Sequence, residues 1–433
     1  MSDWNTEDLV AADKKYLWHP FTSMHDWCAL EHEPIVLIEG RGALLRDSRG
    51  REYIDGNSSI WTNIHGHNHP HINAAIRRQL ERVAHTSFLG FTNPAAIELA
   101  EAIVQLFPAN TLSRVFYSDD GSTGMEVALR IVSQYWRLKG SRRHRFIAFE
   151  HAYHGDTAGA ASLGAAAMFG NGGGRWNFPV TQVSSVAELE ALPADVAGET
   201  AAVVIEPIVQ GAAGIRVWPA GTLKAVREWC DRSKTLLIAD EVLTGFGRTG
   251  RMFSCEHEAV FPDLMVLGKA LTGGYVPLAI TLVRDDIFEA FCADSDRQRT
   301  LFYGHSYTGN AVGCAAAKAS LEIFENENVL GSLAPKIEAL RAELSELREL
   351  PWVADVRQCG FIAGVELRQN DVEPGQLGAA VCLAARRHGL LTRPIRDVVV
   401  LMPPFCITEA QLRQAVQAIK AAIVEVCAEP VPA

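Results

Sequence analysis

The sequence predicts an α/β protein in which a large domain with a mostly parallel sheet is joined to a smaller α+β domain. Short apolar runs such as Thr200–Ile205 and Leu264–Leu267 alternate with stretches of helical periodicity, a pattern typical of a sheet covered by helices on both faces. The length of 433 residues suits one large and one small domain. Beyond residue 315 the pattern changes to helices and a hairpin around Gly360, which indicates a separate unit.

Periodicity and turn residues assign the elements in chain order. Residues 1–35 are expected to be irregular, and residues 35–55 to form a three-stranded meander. Helices are predicted over residues 71–84, 93–107, 125–139, 221–233, 311–324, 335–347, 376–388 and 409–427. Strands are predicted over residues 114–118, 145–149, 200–205, 236–239, 264–267, 276–283, 353–357, 361–367, 390–393 and 398–402.

These elements group into three segments. Residues 1–70 are an N-terminal arm and meander that belong to the small domain, residues 71–314 are the large domain, and residues 315–433 are the C-terminal small domain. A stretch rich in glycine and alanine, residues 163–178, is expected to be a flexible loop near the functional site.

Composition excludes several classes of protein. The formal net charge of −11 disfavours nucleic acid or an anionic membrane as a partner, and no uncharged run is both long enough and apolar enough for a transmembrane helix. The nine cysteines form no C-x-x-C pair, and the first twenty residues have no long apolar core, so we expect reduced thiols and a cytoplasmic location. The four histidines between residues 65 and 71 lack a ligand spacing, so no metal site is expected.

Two charged residues follow neighbouring buried strands. The run Leu236–Asp240 ends in a carboxylate, and Leu264–Leu267 is followed by Gly268 and Lys269, 29 residues after Asp240. Open α/β sheets bind their ligands at the carboxyl ends of their strands. A lysine there can form an imine with a carbonyl, and an aspartate can pair with a protonated ring nitrogen. These are the protein groups that pyridoxal phosphate needs most.

Two further stretches match the other parts of this cofactor. Gly121 and Ser122 lie between a strand and a helix, where N–H groups and the helix dipole favour a phosphate. Tyr153 follows another strand and offers a ring for stacking. Lys269 would then act as the base in a proton shift that moves an amino group from one substrate to the next.

Longer stretches resemble class-III, fold-type I aminotransferases. The resemblance rests on LLIADEVLTGFGRTGRMF, PDLMVLGKALTGGYVPL, VVIEPIVQGAAG, HAYHGDT and SYTGNAVGCAA, and it runs from about residue 17 to residue 404. Three more stretches, WHPFTSM, SSIWTNIHGHNHP and the Arg393-Pro394 pair, narrow it to the branch that aminates 8-amino-7-oxononanoate in biotin biosynthesis. The resemblance implies the pyridoxal-phosphate fold type I and a homodimer with shared active sites.

The resemblance also implies roles for single residues. Lys269 would be the catalytic Schiff-base lysine, and Asp240 the partner of the pyridine nitrogen. The remaining cofactor contacts would come from Gly121, Ser122, Tyr153, His305 and Ser306, the last two reaching across from the second subunit. Substrate would be bound by Phe21, Ile60, Trp61, Tyr153, Gly304 and Arg393, with Arg393 pairing with the substrate carboxylate.

Two positions differ from relatives that use S-adenosylmethionine as amino donor. Those relatives typically have Tyr in place of Phe21 and Trp in place of Ile60, and some relatives with the present residues use lysine. S-adenosylmethionine is the expected donor and lysine the alternative.

Three other functions stay open on the sequence. Another class-III ω-aminotransferase would act on ornithine, γ-aminobutyrate or a diamine, although the stretch from Trp18 to His32 lacks the additional arginine usual in such enzymes that bind an α-carboxylate or glutamate. An aminomutase of the same fold would move an amino group within one molecule. A non-catalytic ligand-binding module would use the same cavity without chemistry.

Overall fold

A computed structural model describes residues 4–164, 178–368 and 373–428. Most of the Gly/Ala-rich stretch lies outside the described residues. The helices are α1 Thr6–Tyr16, α2 Met24–Cys28, α3 Ser58–Trp61, α4 Pro70–Leu80, α5 Pro94–Val104, α6 Gly121–Leu138, α7 Ala158–Leu163, α8 Val186–Glu190, α9 Ala194–Glu199, α10 Thr222–Ser233, α11 Asp285–Cys292, α12 Ala311–Asn326, α13 Val329–Ser345, α14 Gln376–Arg387 and α15 Glu409–Ala428.

The strands follow the same order along the chain. They are β1 Leu37–Arg41, β2 Leu44–Asp47, β3 Glu52–Asp55, β4 Leu112–Ser118, β5 Arg145–Phe149, β6 Thr181–Val183, β7 Thr200–Ile205, β8 Val209–Gln210, β9 Arg216–Val217, β10 Leu236–Asp240, β11 Leu264–Leu267, β12 Ala279–Arg284, β13 Val353–Cys359, β14 Ile362–Leu367, β15 Leu390–Leu391, β16 Pro394–Ile395 and β17 Val398–Leu401. Short 3₁₀ turns cover Ser254–Glu258, Lys269–Thr272, Arg297–Arg299 and Glu346–Glu349.

The central sheet has seven strands in the order β4-β12-β11-β10-β7-β5-β6. Strand β12 is antiparallel to both neighbours, and the other pairs are parallel, so six strands run in one direction. Their carboxyl ends therefore share one edge of the sheet. Asp240 is paired with Val266, so Lys269 lies three residues beyond the neighbouring strand position.

Alternate side chains of these strands enter two different cores. In β10, Leu237 and Ala239 pack in the larger core, whereas Leu236 and Ile238 pack on the other face with α6 and α7. Apolar residues at every position of a strand are expected when helices cover both faces. The predicted strands β5, β7 and β11 have the bounds the sequence indicated.

Two smaller sheets join distant parts of the chain. The N-terminal meander forms a sheet in the order β1-β2-β3-β15, in which β15 pairs with β3 in parallel register. The second sheet has the order β13-β14-β17-β16, and α14 and α13 pack on α15. The proposed division into segments 1–70, 71–314 and 315–433 stays a prediction, and its second boundary falls inside α12.

Two expectations for helices were wrong. The N-terminal arm is not irregular, because it contains α1 and α2. No residue of α1 is buried, so its sequence has no apolar periodicity from which a helix could be predicted. The side chain of Asn5 caps this helix by accepting hydrogen bonds from the N–H groups of Glu7 and Asp8. The helix predicted from Pro335 begins six residues earlier, at Val329, and continues through the proline. Proline favours the first helical position, which made it look like a start.

No helix in the described ranges is long and apolar enough to cross a membrane.

Candidate active site

A cavity of about 420 Å³ opens at the carboxyl edge of the central sheet. Five strands, β4, β5, β7, β10 and β11, end in segments that contribute to its wall. Seven residues predicted for the site line it: Ile60, Trp61, Gly121, Ser122, Tyr153, Asp240 and Lys269. Gly121 and Lys269, which are 148 positions apart in the chain, meet here because parallel strands end at one edge, whereas Ile60 and Trp61 come from the segment after β3 of the N-terminal sheet.

Lys269 begins the turn after β11, and its backbone has φ of 40°, a conformation that L-residues rarely adopt. Its amine lies 5.3 Å from the centroid of the Trp61 ring. Burial lowers the pKa of Lys269 from its ordinary value, and the charges of Asp240 and Glu206 oppose that shift. A lysine whose proton is easier to remove is suited to nucleophilic and base chemistry.

Asp240 ends β10 and is held from two sides. Its Oδ2 atom lies 2.6 Å from Nδ1 of His154, and its Oδ1 atom accepts from the N–H of Val242 at 3.1 Å. Burial by itself would lower the pKa of His154, but the hydrogen bond and charge of Asp240 raise it above the ordinary value. A charged imidazole thereby faces the Asp240 carboxylate across a short hydrogen bond.

Glu206 follows β7 and is a third buried ionisable side chain in the cavity wall. Its two oxygens accept from the N–H groups of Tyr153, at 3.1 Å, and Gly211, at 3.0 Å. Burial raises its pKa to about 7, although the charge of His154 opposes the shift. Glu206 thus holds the backbone that carries the Tyr153 ring.

Asp240 is followed directly by a second buried carboxylate with a different role. Glu241 accepts from the N–H groups of Ser254 and Cys255 and from the hydroxyl of Thr244, at 2.7 to 3.0 Å. These hydrogen bonds stabilise the connection between β10 and β11. Of the two carboxylates that end this strand, Asp240 therefore faces the cavity and Glu241 is structural.

The helix α6 begins at the cavity with Gly121 and Ser122. Asp120 caps the helix through the N–H of Thr123, and helix geometry gives the N–H groups of Gly121 and Ser122 no acceptor within the helix. A Cβ atom at Gly121 would lie 2.7 Å from Cγ1 of Val242. This close approach requires glycine and leaves the helix end open to an anion.

Tyr153 lies in the segment after β5. Its hydroxyl donates to Oδ2 of Asp156 at 2.7 Å, and its ring lines the cavity. Burial raises the pKa of Tyr153, with Asp156 adding to the shift. The N–H of Asp156 donates to the hydroxyl of Ser122 at 3.2 Å. This bond links the segment that carries Tyr153, the residue predicted to stack on the cofactor ring, to Ser122, which is predicted to bind the phosphate.

Ile60 and Trp61 belong to α3, which is a left-handed turn. All four residues of Ser58–Trp61 have positive φ, between 46° and 73°. Each non-glycine residue in this region costs about 1 kcal/mol or more. The Trp61 side chain is buried and donates from Nε1 to the side chain of Asn57 at 2.8 Å, whereas Ile60 is 44% exposed.

The structure does not bring all predicted site residues to this cavity. Gly304, His305 and Ser306 are absent from the described lining. The Nδ1 atom of His305 lies 3.3 Å from Oδ2 of Asp119 in the same chain, and the backbone oxygen of Ser306 lies 2.7 Å from Nε2 of His85. Their expected contribution across a subunit boundary stays a prediction.

Phe21 and Arg393 also lie outside the described lining of the cavity. Phe21 is 61% exposed, with φ of 52°, in the connection between α1 and α2. Burial lowers the pKa of Arg393, and its charge acts on Tyr153. Their roles toward substrate stay predictions.

The lining fits pyridoxal phosphate. The cofactor needs a lysine that can lose its proton, a buried and oriented carboxylate, and an anion site without side-chain obstruction. Lys269, Asp240 and the end of α6 at Gly121 provide these within one cavity.

The sequence prediction missed two members of this site, His154 and Glu206. Glu206 satisfied the criterion that selected Asp240, a carboxylate directly after a buried strand. His154 follows Tyr153 in the chain, but its partner is 86 residues away. The pairing of His154 with Asp240 had no signal in the sequence.

Comparisons with known proteins agree with this geometry. A family model described as class-III aminotransferase matches residues 28–423. The adenosylmethionine-8-amino-7-oxononanoate aminotransferase of Geobacter sulfurreducens is 44% identical, covering 95% of this chain and 96% of that protein. The protein of the same name from Nitratidesulfovibrio vulgaris is 45% identical, covering 97% of this chain and 82% of that protein.

Solved structures show the same fold. The enzyme of that name from Methanocaldococcus jannaschii is 37% identical with a TM-score of 0.94, covering 98% of this chain and 100% of that one. An amine transaminase from an uncultivated Pseudomonas species, described in its PLP-bound form, is 31% identical with a TM-score of 0.89, covering 95% and 99%. The predicted fold type I is confirmed. This chain belongs to the class-III aminotransferases and is an aminotransferase dependent on pyridoxal 5′-phosphate.

Proposed function

We propose that the chain transfers an amino group to 8-amino-7-oxononanoate and forms 7,8-diaminononanoate, a step of biotin biosynthesis. S-adenosylmethionine is the proposed donor, and lysine is the alternative because of Phe21 and Ile60. The names of relatives that are 44% and 45% identical support the acceptor and the donor. The observation that carries aminotransfer is the meeting of Lys269 and Asp240 in one cavity.

Lys269 is the residue proposed to move the proton. When bound, pyridoxal phosphate carries the amino group between the two substrates and withdraws electrons from the carbon that loses a proton. The Nζ atom of Lys269 takes that proton from the amine-bearing carbon of the donor, and later returns a proton to the carbon that becomes aminated. Its lowered pKa makes the free amine available for this work.

Asp240 is proposed to hold the charge of the cofactor ring. The hydrogen bond from His154, at 2.6 Å, orients its carboxylate. Because both side chains are buried, water does not screen the interaction. Tyr153 would cover one face of the ring, and Gly121 and Ser122 would bind the phosphate.

The substrate end is proposed to combine apolar and charged contacts. Ile60 and Trp61 supply apolar wall for the carbon chain. Arg393, whose charge acts on Tyr153, would pair with the distant carboxylate, while Gly304 and Phe21 would complete the pocket.

A homodimer with shared sites is part of the proposal. Several large apolar side chains are exposed in the single chain near His305 and Ser306, the residues predicted to reach into the site of the second subunit. They are Leu89, Phe91, Phe302 and Tyr307. Because a second subunit would cover such side chains, they support the placement of His305 and Ser306 at a neighbouring site. Nine free cysteines support a cytoplasmic location, since they favour a reducing compartment.

A spectral half-reaction tests the proposed substrates. The holoenzyme is mixed separately with 7,8-diaminononanoate, S-adenosylmethionine and lysine, and the visible band of the bound cofactor is followed. We expect the diamine and one of the two donors to bleach the band. A band that persists with the diamine overturns the biotin-pathway proposal, and the donor that bleaches it identifies the amine source.

A second candidate is an ω-transaminase of broader substrate range. It is favoured by the (S)-enantioselective omega-transaminase of Thermomicrobium roseum, which is 32% identical with a TM-score of 0.92. In that case simple amines would bleach the band while the diamine would not. An aminomutase would convert one substrate without forming a separate oxo product.

A further inference from the structure

The left-handed turn α3 lies between β3 and the segment that leads to α4. Hydrogen bonds from the N–H of Trp61 to the oxygen of Asn57, at 2.8 Å, and from the N–H of Thr62 to the oxygen of Ser58, at 3.0 Å, close it. Ser58, Ser59, Ile60 and Trp61 all carry a Cβ atom, which disfavours this handedness. Contacts from outside the turn must therefore stabilise it.

Asp55, the last residue of β3, contacts both the turn and the residues that flank it. Its Oδ1 atom accepts from the N–H groups of Asn57, at 3.3 Å, and Ser59, at 3.0 Å. Its Oδ2 atom accepts from the hydroxyl of Ser59 at 3.0 Å and lies 2.9 Å from Nε2 of His67. The carboxylate is 2% exposed, so four hydrogen bonds converge on one buried group.

Other elements surround this carboxylate and brace the turn. The hydroxyl of Ser58 donates to the oxygen of Met402 at 2.8 Å, and the N–H of Met402 donates to the oxygen of Gly56 at 2.7 Å. The buried guanidinium of Arg248 feels the charge of Asp55. Asp55 thus links the turn to β3 and to His67, and its charge also acts on the guanidinium of Arg248.

The turn carries the two side chains that line the substrate end of the cavity, Ile60 and Trp61. The residues that follow the turn lie close to the Lys269 segment, because a Cβ atom at Gly274 would lie 2.7 Å from Cα of Asn63. Asp55 is not part of the described lining of the cavity. Its effect on substrate must therefore act through the backbone of the turn.

We propose that Asp55 is a positioning residue for substrate specificity, which holds Ser58–Trp61 left-handed and thereby sets where Ile60 and Trp61 meet the substrate. This inference rests on the proposed function in one respect, namely that the substrate chain passes along these two side chains. If Asp55 no longer holds the turn, the two side chains lose their place, whereas the hydrogen bonds of Asp240 with His154 and Val242 keep theirs.

The test compares the holoenzyme with Asp55→Asn, which keeps the shape of the side chain and removes its charge and one acceptor. We expect the KM for the amino acceptor to rise about tenfold or more with a clearly smaller fall in kcat, since misplaced binding residues weaken substrate affinity first. Hydrogen exchange of the peptide covering residues 57–63 should accelerate, because the bonds that close the turn open more often.

A matched control comes from the same sheet. Asp47 ends β2, is 1% exposed, and also receives four hydrogen bonds, from the N–H groups of Arg49 and Arg51, Nε of Arg51 and the hydroxyl of Tyr53. It serves the β2–β3 connection and not the turn. We expect Asp47→Asn to lower thermal stability without changing the KM or the exchange of residues 57–63.

A rescue separates conformation from general destabilisation. Ser59→Gly removes the Cβ penalty of positive φ, so Asp55→Asn combined with Ser59→Gly should recover the KM to within about threefold of wild type. An unchanged KM in Asp55→Asn, a parallel loss of kcat, or no recovery in the double variant overturns the inference. Failure of the proposed function would instead appear in the wild type, which would not react with 7,8-diaminononanoate. In that case the KM values of wild type and the variants are compared with the amine that the wild type does accept.

Discussion

The Nδ1 atom of His154 lies 2.6 Å from Oδ2 of Asp240, and both side chains are buried behind the cavity. His154 lies in the segment after β5, and Asp240 is the last residue of β10, so the two belong to different strands of the central sheet. Their contact gives the aspartate an oriented donor of opposite charge in a region that water does not screen.

Removing this donor should impair catalysis. In His154→Phe the ring shape is kept but Asp240 loses its partner, which costs about 1–3 kcal/mol for a buried acceptor, or about 5- to 150-fold in kcat. Steady-state kinetics and the visible band of the bound cofactor are the measurements. His65 offers a matched control, since it is also buried and its Nε2 lies 3.0 Å from the hydroxyl of Ser320. A normal kcat in His154→Phe would contradict the prediction.

Lys269→Ala should abolish the proton transfer proposed above. We expect kcat to fall about 10²- to 10⁴-fold, with the visible band of the bound cofactor lost or shifted. Lys336 is a suitable control, because burial also lowers its pKa and its amine donates to the backbone oxygen of Phe405 at 2.6 Å. Lys336→Ala should keep the band and most of the activity. Full activity of Lys269→Ala would remove this lysine from the mechanism.

The close approach at Gly121 predicts a steric effect. In Gly121→Ala the new methyl group would press on Val242 at 2.7 Å, which costs about 1–3 kcal/mol of stability and displaces the end of α6. Cofactor affinity should decrease with it. Val242→Ala provides room, so the double variant should recover both quantities. Gly198→Ala, where no atom lies within 4 Å of the new Cβ atom, is the control. If the effects of Gly121→Ala and Val242→Ala on stability and cofactor affinity simply add in the double variant, the steric explanation is refuted.

Glu206 predicts a pH dependence of stability in the cofactor-free protein. Burial raises its pKa from 4.5 to about 7, so between these values the folded protein binds a proton that the unfolded chain has lost. This contribution is complete below pH 4.5 and disappears as the pH rises through about 7, a difference of about 3 kcal/mol.

Unfolding free energies of wild type and Glu206→Gln should therefore diverge with pH. The advantage of wild type over the variant should fall by about 3 kcal/mol between pH 4.5 and pH 8. Glu101 is exposed, and Glu101→Gln should run parallel to wild type over that range. Parallel curves for Glu206→Gln as well would show that Glu206 does not titrate as proposed.

Shared active sites predict complementation between subunits. We co-express Lys269→Ala with a His305→Ala/Ser306→Ala double variant, each of which should be nearly inactive alone. If the residues reach a neighbouring site, half of the sites in a mixed dimer are intact, and random pairing should restore about a quarter of wild-type activity. A mixture no more active than its components would place His305 and Ser306 in the service of their own subunit.

The sequence by itself determined the sheet and the reacting groups at its edge. Apolar runs in Leu236–Asp240 and Leu264–Leu267 are local signals of buried strands, and parallel strands put Asp240 and Lys269 at one edge without knowledge of any contact. The glycine between a predicted strand and a predicted helix likewise indicated the open helix end at Gly121.

Only the tertiary structure decided how these groups are supported. His154 reaches Asp240 over 86 residues, and Asp55 is needed to hold Ser58–Trp61 in a handedness that its residue types disfavour. The exposed helix α1 buries no residue, and its sequence therefore has no apolar periodicity. Its first turn is defined by the side chain of Asn5, which caps the helix. Strand ends follow from local hydrophobicity, whereas the partners of buried charges depend on contacts between distant segments.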